Sequence, residues 1–194
     1  MDIFVSFVGI LVLSPVFIVL AILVKIGSAG PVIYKQNRVG LRNMDFSIYK
    51  FRTMYLDSDK KGLITIGDRD PRVTSIGYYL RKLKLDEIPQ LFNVLFGHMS
   101  LVGPRPEVRK YVDYYSKQDI EVLNVRPGIT DYASIEFRNE NEMLKDAVNP
   151  DKKYIEEILP IKLSLNKKYI REKSFLTDIK ILCLTMVSIF GTKK

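Results

Sequence analysis

The sequence predicts a mixed α/β chain, mainly helical, with a broken apolar helix at residues 1–26 and one compact domain at 27–194 that carries a small β-hairpin. Three observations predict it. Residues 3–24 are apolar or small apart from Ser6 and Ser14, close to the roughly 20 residues that cross a bilayer core. Two short alternating segments, 32–39 and 45–54, flank the turn Gly40-Leu41-Arg42-Asn43. The rest reads mainly as helix, and 194 residues leave room for one compact core plus an appendage.

Lysine and arginine number 30 against 22 acidic residues, a balance of +8, so anionic partners are expected. Charge alone suits anionic lipid, nucleic acid or a plain solvated surface. No base-stacking or groove-reading motif accompanies it, so no nucleic acid is expected as a partner. The single cysteine, Cys183, cannot form an internal disulfide and reads as a small buried hydrophobe. One histidine, His98, excludes a zinc site with more than one His ligand. The metal site that remains open is carboxylate and phosphate oxygen around Mg²⁺.

Within the apolar run, Pro15 has no N–H to give Leu11, and the Ser14 hydroxyl is placed to take that carbonyl instead. A break or kink is predicted at Ser14-Pro15. A cleaved signal peptide is not expected, since the chain starts Met1-Asp2 and continues into Lys25 without a small-residue cleavage pattern. Two membrane geometries follow. A kinked helix can span, with Lys25, Lys35, Arg38 and Arg42 holding the domain in the cytoplasm, or the two halves can dip in and return on one face. The plainer reading is a buried helix of a soluble core.

In the second hairpin arm, alternation puts Lys50 and Arg52 on one face and Phe51 on the other. Two cations on one face suit a diphosphate, and equally a polar outer surface. Residues 57–72, with Gly62, Gly67 and Pro71, read as a loop, either a cover for a site or a surface connection. Thr74 or Ser75 opens a helix through Leu83. Next comes Leu85-Asp86-Glu87-Ile88-Pro89, where Pro89 marks a first helical turn. Asp86 and Glu87 are thereby expected at a helix N-terminus, which would hold carboxylates ionised and attract phosphate. Phe92 reads as core.

In Gly103-Pro104-Arg105-Pro106 two prolines constrain one arginine for bidentate phosphate binding. Arg126-Pro127-Gly128 repeats that logic. A helix is expected over 107–117, a short strand over 134–137, and a charged helix over 149–172 interrupted at Pro160. The final run, 175–190, is amphipathic before Lys193-Lys194, suited to a membrane interface or to closing the core.

An acidic pair alone is usually a solvated helix start. Together, Lys50-Phe51-Arg52-Thr53-Met54, Asp70-Pro71-Arg72-Val73-Thr74, the run from Leu80-Arg81 through Leu95, residues 99–106 and Arg126-Pro127-Gly128-Ile129-Thr130 resemble the bacterial sugar transferase family of monotopic phosphoglycosyl transferases. The resemblance covers almost the whole chain. It implies transfer of a phosphosugar from a UDP-sugar to polyprenol (undecaprenyl) phosphate, through a covalent intermediate on Asp86, with release of UMP. By the same match Glu87 joins catalysis by helping to hold Mg²⁺. Lys50, Arg52 and Arg105 would contact phosphates, Arg126, Pro127 and Gly128 the nucleotide end, and Arg81 would orient the pair. It also implies a re-entrant helix broken at Ser14-Pro15, the cytoplasmic face of the bacterial inner membrane, and downstream glycosyltransferases as further partners. Many members carry a basic segment before the membrane helix where this chain starts Met1-Asp2; His98 and Asp131 depart from the usual residues. A different reading is a non-catalytic monotopic membrane adaptor that binds anionic lipid or a glycan-assembly partner.

Overall fold

The computed structural model describes residues 1–58, 62, 64–67 and 70–191. Six positions of the expected 57–72 loop and the terminal Lys193-Lys194 lie outside the described residues. The architecture is mixed and mainly helical, as expected.

Helix α1 spans Asp2–Gly27 and is long and apolar enough to cross a membrane by length and composition. It is continuous through Pro15, so the expected break does not interrupt it. Ser14 Oγ donates to the Leu11 carbonyl at 2.8 Å, supplying the partner that the proline nitrogen cannot. One narrow stripe at helical spacing faces the domain. Asp2 accepts a hydrogen bond from Ser100, Ser6 is buried, Phe17 stacks on Phe51 and Phe92, and Leu20 and Val24 pack with Leu80. The opposite face, including Phe4, Phe7, Leu11, Val12, Ile18 and Ile22, is exposed. A free upright helix of this length would carry its start about 39 Å from its end. Here both ends rest on the same domain.

Strands β1 (Ile33–Val39) and β2 (Asp45–Phe51) form the expected antiparallel hairpin, with Ile33 opposite Phe51 and Val39 opposite Asp45. Arg42 and Asn43 take left-handed backbone conformations at the turn. Arg52, just beyond β2, donates to the carbonyls of Pro31 (2.7 Å), Ala29 and Ser28 (2.8 Å), tying the exit of α1 to the hairpin.

Thr74 caps α2 (Ser75–Lys82) by accepting from Gly77 N at 2.9 Å. Just before it, Asp70 accepts from Arg72, whose guanidinium also holds the carbonyls of Gly62 and Ile64 at 2.6 Å. The Arg72 hydrogen bond outweighs burial and lowers the Asp70 carboxyl to about 2. A carboxyl depressed in the folded state stabilises above its unfolded value near 3.8 and loses that contribution as pH falls toward about 2. Acid titrations of unfolding free energy should therefore show Asp70→Asn converging on the wild type between pH 4 and 2. A constant difference across that window would count against the pairing.

Helix α3 (Gln90–Leu95) is welded to the hairpin by the fully buried Asn93, which accepts from Tyr49 N (2.9 Å) and donates to Ser47 O (2.8 Å). Phe92 is half-buried against Phe17 of α1. Residues around the Pro-Arg-Pro turn form β3 (Ser100–Val102), paired in parallel with β4 (Gly128–Thr130).

Two expected elements are corrected. The helix over 107–117 shrinks to α4 (Arg109–Val112), because Ser116 N and Oγ turn onto the Asp119 carboxylate (3.0 and 2.6 Å) and end the helical path. The strand over 134–137 is instead helix α5 (Tyr132–Glu136), capped by Asp131, which accepts from Ser134 N at 2.7 Å. After α6 (Glu140–Met143), α7 (Pro150–Lys153) runs through a π turn at Tyr154–Ile158 into α8 (Leu159–Glu172), so the helical path continues past Pro160 and the expected interruption takes the form of a π turn just before it.

Tyr111, Val122, Phe137, Leu144, Tyr154, Ile158, Leu159 and Leu163 form the main core. Helix α9 (Phe175–Phe190) closes a second, smaller cluster with Ile181 against Val102 and Tyr169, and leaves Phe175, Leu176, Ile179, Met186 and Val187 exposed. Both uses expected of this helix are therefore open to it. Cys183, expected inside, is exposed, since it lies two residues from Ile181 and so on the far side of the helix.

Candidate active site

After α2 the chain reverses through Lys84, whose φ of 57° lies in the left-handed region, and enters a 3₁₀ turn, Leu85–Glu87. Asp86 and Glu87 therefore sit one turn ahead of α3 rather than in its first turn. The expected ionising effect of a helix N-terminus is replaced by burial. Asp86 is buried, and among the described residues its Oδ1 has no hydrogen-bond partner; neither does Nε2 of the buried Gln90, four residues on.

Glu87 has two cations on Oε1: Lys50 Nζ at 3.1 Å and the Arg105 guanidinium. Arg105 is fixed further by the Ile129 carbonyl at 3.2 Å. These contacts drive the two acids apart. Burial and the charge of Glu87 raise the Asp86 carboxyl, although Lys50, Arg81 and Lys84 oppose the rise. Burial also acts to raise Glu87, but Arg105 and Lys50 outweigh it and hold Glu87 well below the usual carboxylate range. Burial lowers the Lys50 ammonium to about 8 despite Glu87. The contacts thus pin Glu87 as an anion and raise the proton affinity of Asp86, the separation of roles that acid–base and nucleophilic sites use.

Both carboxylates line a cavity of about 900 Å³ that Lys50, Arg81, Lys84 and Arg105 also line. Arg81 is steadied by Thr65 Oγ1 at 2.9 Å. Leu13, next to Ser14-Pro15, and Leu91 supply apolar wall, so α1 reaches the cavity at its proline.

The other expected contacts fall differently. Arg52 borders the cavity, but its three nitrogens are engaged by backbone carbonyls, so it acts as a clamp on the α1–β1 turn. Arg126 is exposed and does not line the cavity. Pro127 O accepts from Ser100 N at 2.8 Å, and Gly128 backs onto Gly103, so this segment serves the β3–β4 pairing.

The cavity also contains groups that sequence reasoning missed. Glu107 contacts Tyr154, Lys162 (3.5 Å) and Arg38 (3.7 Å), and Lys162 reaches Glu140 at 2.8 Å. The alternation of β1 puts Arg38 on the face of Tyr34 and Gln36 and could have found it. Lys162 and Glu140 carry no such signal, because helices far apart in the chain bring them together.

Among the described residues no group of three His, Cys, Asp or Glu side chains forms a metal cage. Mg²⁺ does not require one: it is commonly held by one or two carboxylates together with substrate phosphates and water. The unpartnered, buried Asp86 Oδ1 beside a second carboxylate is an oxygen donor set that fits it.

A family profile described as bacterial sugar transferase matches residues 1–192. The chain is 46% identical over 138 residues, 70% of its length, to the UDP-N-acetylgalactosamine-undecaprenyl-phosphate N-acetylgalactosaminephosphotransferase of Aeromonas hydrophila, covering 33% of that protein. It is 38% identical over 99% of its length to the UDP-glucose:undecaprenyl-phosphate glucose-1-phosphate transferase of Escherichia coli (strain K12), covering 40% of that protein. It is 41% identical over 88% of its length to the uncharacterized sugar transferase EpsL of Bacillus subtilis (strain 168), covering 74% of it. The chain thus spans between a third and two fifths of the length of the first two relatives.

Proposed function

The chain belongs to the bacterial sugar transferase family, and from that premise we propose that it moves a phosphosugar from a UDP-sugar to polyprenol phosphate at a membrane surface. The observation that carries the proposal is Asp86: a buried carboxylate with an oxygen free of partners among the described residues, in a cavity lined by cations. In the first step an Asp86 oxygen attacks the β-phosphorus, the bond to the bridging oxygen breaks, and UMP leaves with that electron pair. In the second, an oxygen of polyprenol phosphate attacks the same phosphorus. The Asp86 carboxylate is released, and polyprenol diphosphate sugar forms.

Two steps on one carboxylate suit substrates of opposite solubility, since neither need wait for the other. Lys50 and Arg105 hold Glu87 and face the cavity, so they would receive the diphosphate charge. Arg81 would keep the turn bearing Asp86 in register. Glu87 and the diphosphate oxygens would hold Mg²⁺, which supplies charge neutralisation there. The exposed apolar face of α1, with both helix ends on the domain, supports a monotopic seat on the cytoplasmic face of the inner membrane. Leu13 at the cavity wall supports entry of the lipid acceptor from that side.

The deciding experiment is UMP release from a panel of UDP-sugars by the detergent-solubilised protein with Mg²⁺ and polyprenol phosphate. Release with at least one sugar is expected, and the pattern identifies the donor. No release with any of them overturns the enzyme reading and leaves the adaptor.

A further inference from the structure

Glu87, together with Asp86 once ionised for attack, brings at most two negative charges to the cavity, and the cations bonded to Glu87, Lys50 and Arg105, bring two positive ones. The inner site is therefore balanced before any phosphate arrives. A diphosphate or a lipid phosphate adds further negative charge to a site of low dielectric, where Lys50 and Arg105 are already shared with Glu87, so a further cation facing the cavity would stabilise it. Most cavity cations are committed. Arg38 and Lys162 hold Glu107, Arg81 bonds Thr65, and Arg138 donates to the Ile189 carbonyl at 3.0 Å.

Lys84 differs from all of these, and from Lys82, which also lines the cavity but is exposed. Its side chain lines the cavity and is half-buried, yet its ammonium has no hydrogen-bond or ion-pair partner among the described residues. Its backbone is held at φ 57°, a left-handed conformation that disfavours an L-residue with a β-carbon. Glycine or asparagine would fill that backbone position more cheaply. Strain tolerated at a position facing a site points to a role for the side chain. Lys84 also lies close enough to act electrostatically on both Asp86 and Glu87.

We infer that Lys84 is a phosphate-binding residue: its uncommitted ammonium receives the phosphoryl oxygens that approach Asp86. The inference rests on the proposed transferase reading. The phosphoryl group has two sources, the diphosphate of the soluble donor and the headgroup of the lipid acceptor.

Binding without turnover separates them. The wild type, Lys84→Asn and Lys84→Arg are titrated calorimetrically in nonionic detergent with inorganic pyrophosphate and, separately, with decyl phosphate. Asparagine keeps a left-handed backbone and removes the charge. Lys84→Asn should weaken one of the two probes about tenfold, Lys84→Arg should restore it, and the melting temperature should stay within a degree or two. Loss confined to pyrophosphate assigns Lys84 to the donor; loss confined to decyl phosphate assigns it to the acceptor. Unchanged affinity for both probes, no binding of either by the wild type, or failure of arginine to restore binding overturns the inference. A wild type that binds through Lys84 yet releases no UMP from any UDP-sugar sinks the transferase reading alone.

Discussion

Asp86→Asn is expected to lower UMP release by on the order of 10⁴-fold or more, the scale seen when a covalent nucleophile is removed. The amide matches the carboxylate in size but cannot attack phosphorus, so substrate binding and the remaining electrostatics survive while the covalent step is lost. Folding should not suffer. The Asp86 Oδ1 atom makes no hydrogen bond that the substitution would break, and a neutral amide is easier to bury than a carboxylate already pushed toward its neutral form. The check is twofold: UMP release, and mass spectrometry of protein quenched after mixing with donor alone, where the wild type should carry a phosphosugar and the variant none. Full turnover by Asp86→Asn would remove Asp86 as nucleophile. Glu87→Gln is a poorer probe, because it also dissolves the pairing with Lys50 and Arg105 and so mixes structural and catalytic losses.

The second large effect is structural. A β-carbon at Gly128 would stand 2.1 Å from Gly103 N and 2.4 Å from Gly103 O, and both atoms belong to backbone that no rotamer change can move away. Gly128→Ala must therefore part β3 from β4 or strain the Pro104–Pro106 turn that carries Arg105. A cost on the order of 3 kcal/mol is expected, at the upper end of overpacking effects. For a chain of this length that corresponds to a fall of about 6–12 °C in melting temperature. The measurement is thermal unfolding without ligand. If Gly128 served only the nucleotide, as its sequence context suggests, the variant would melt like the wild type and lose only donor affinity.

Much of the fold is legible in local sequence. The alternation of 32–39 and 45–54 around Gly40 marked the hairpin, Thr74 marked the start of α2, and the apolar run marked α1, down to the Ser14 hydroxyl that takes the Leu11 carbonyl. Errors fell where a side chain outside the window decided the outcome. The Asp131 carboxylate turned an apparent strand into α5, and Asp119 ended α4 early. Helical phase, read one residue at a time, would have exposed Cys183.

By itself the sequence determined which elements form, that one helix is apolar enough for a membrane, and which adjacent carboxylates lie among basic motifs, because these depend on neighbours within a turn or two of chain. Only the tertiary structure decided how each charge is used. Arg52 and Arg105 look alike in sequence, each an arginine expected to contact phosphate. Yet Arg52 meets the carbonyls of Ser28, Ala29 and Pro31 and becomes a clamp, whereas Arg105 meets Glu87 and faces the cavity. The division of Asp86 from Glu87 has the same origin. The two are adjacent in the chain, and what separates their protonation is Arg105 and Lys50, brought to Glu87 from 18 and 37 residues away. A guanidinium or carboxylate takes its role from whichever partner burial leaves within hydrogen-bond reach, and that partner is chosen by packing across the fold.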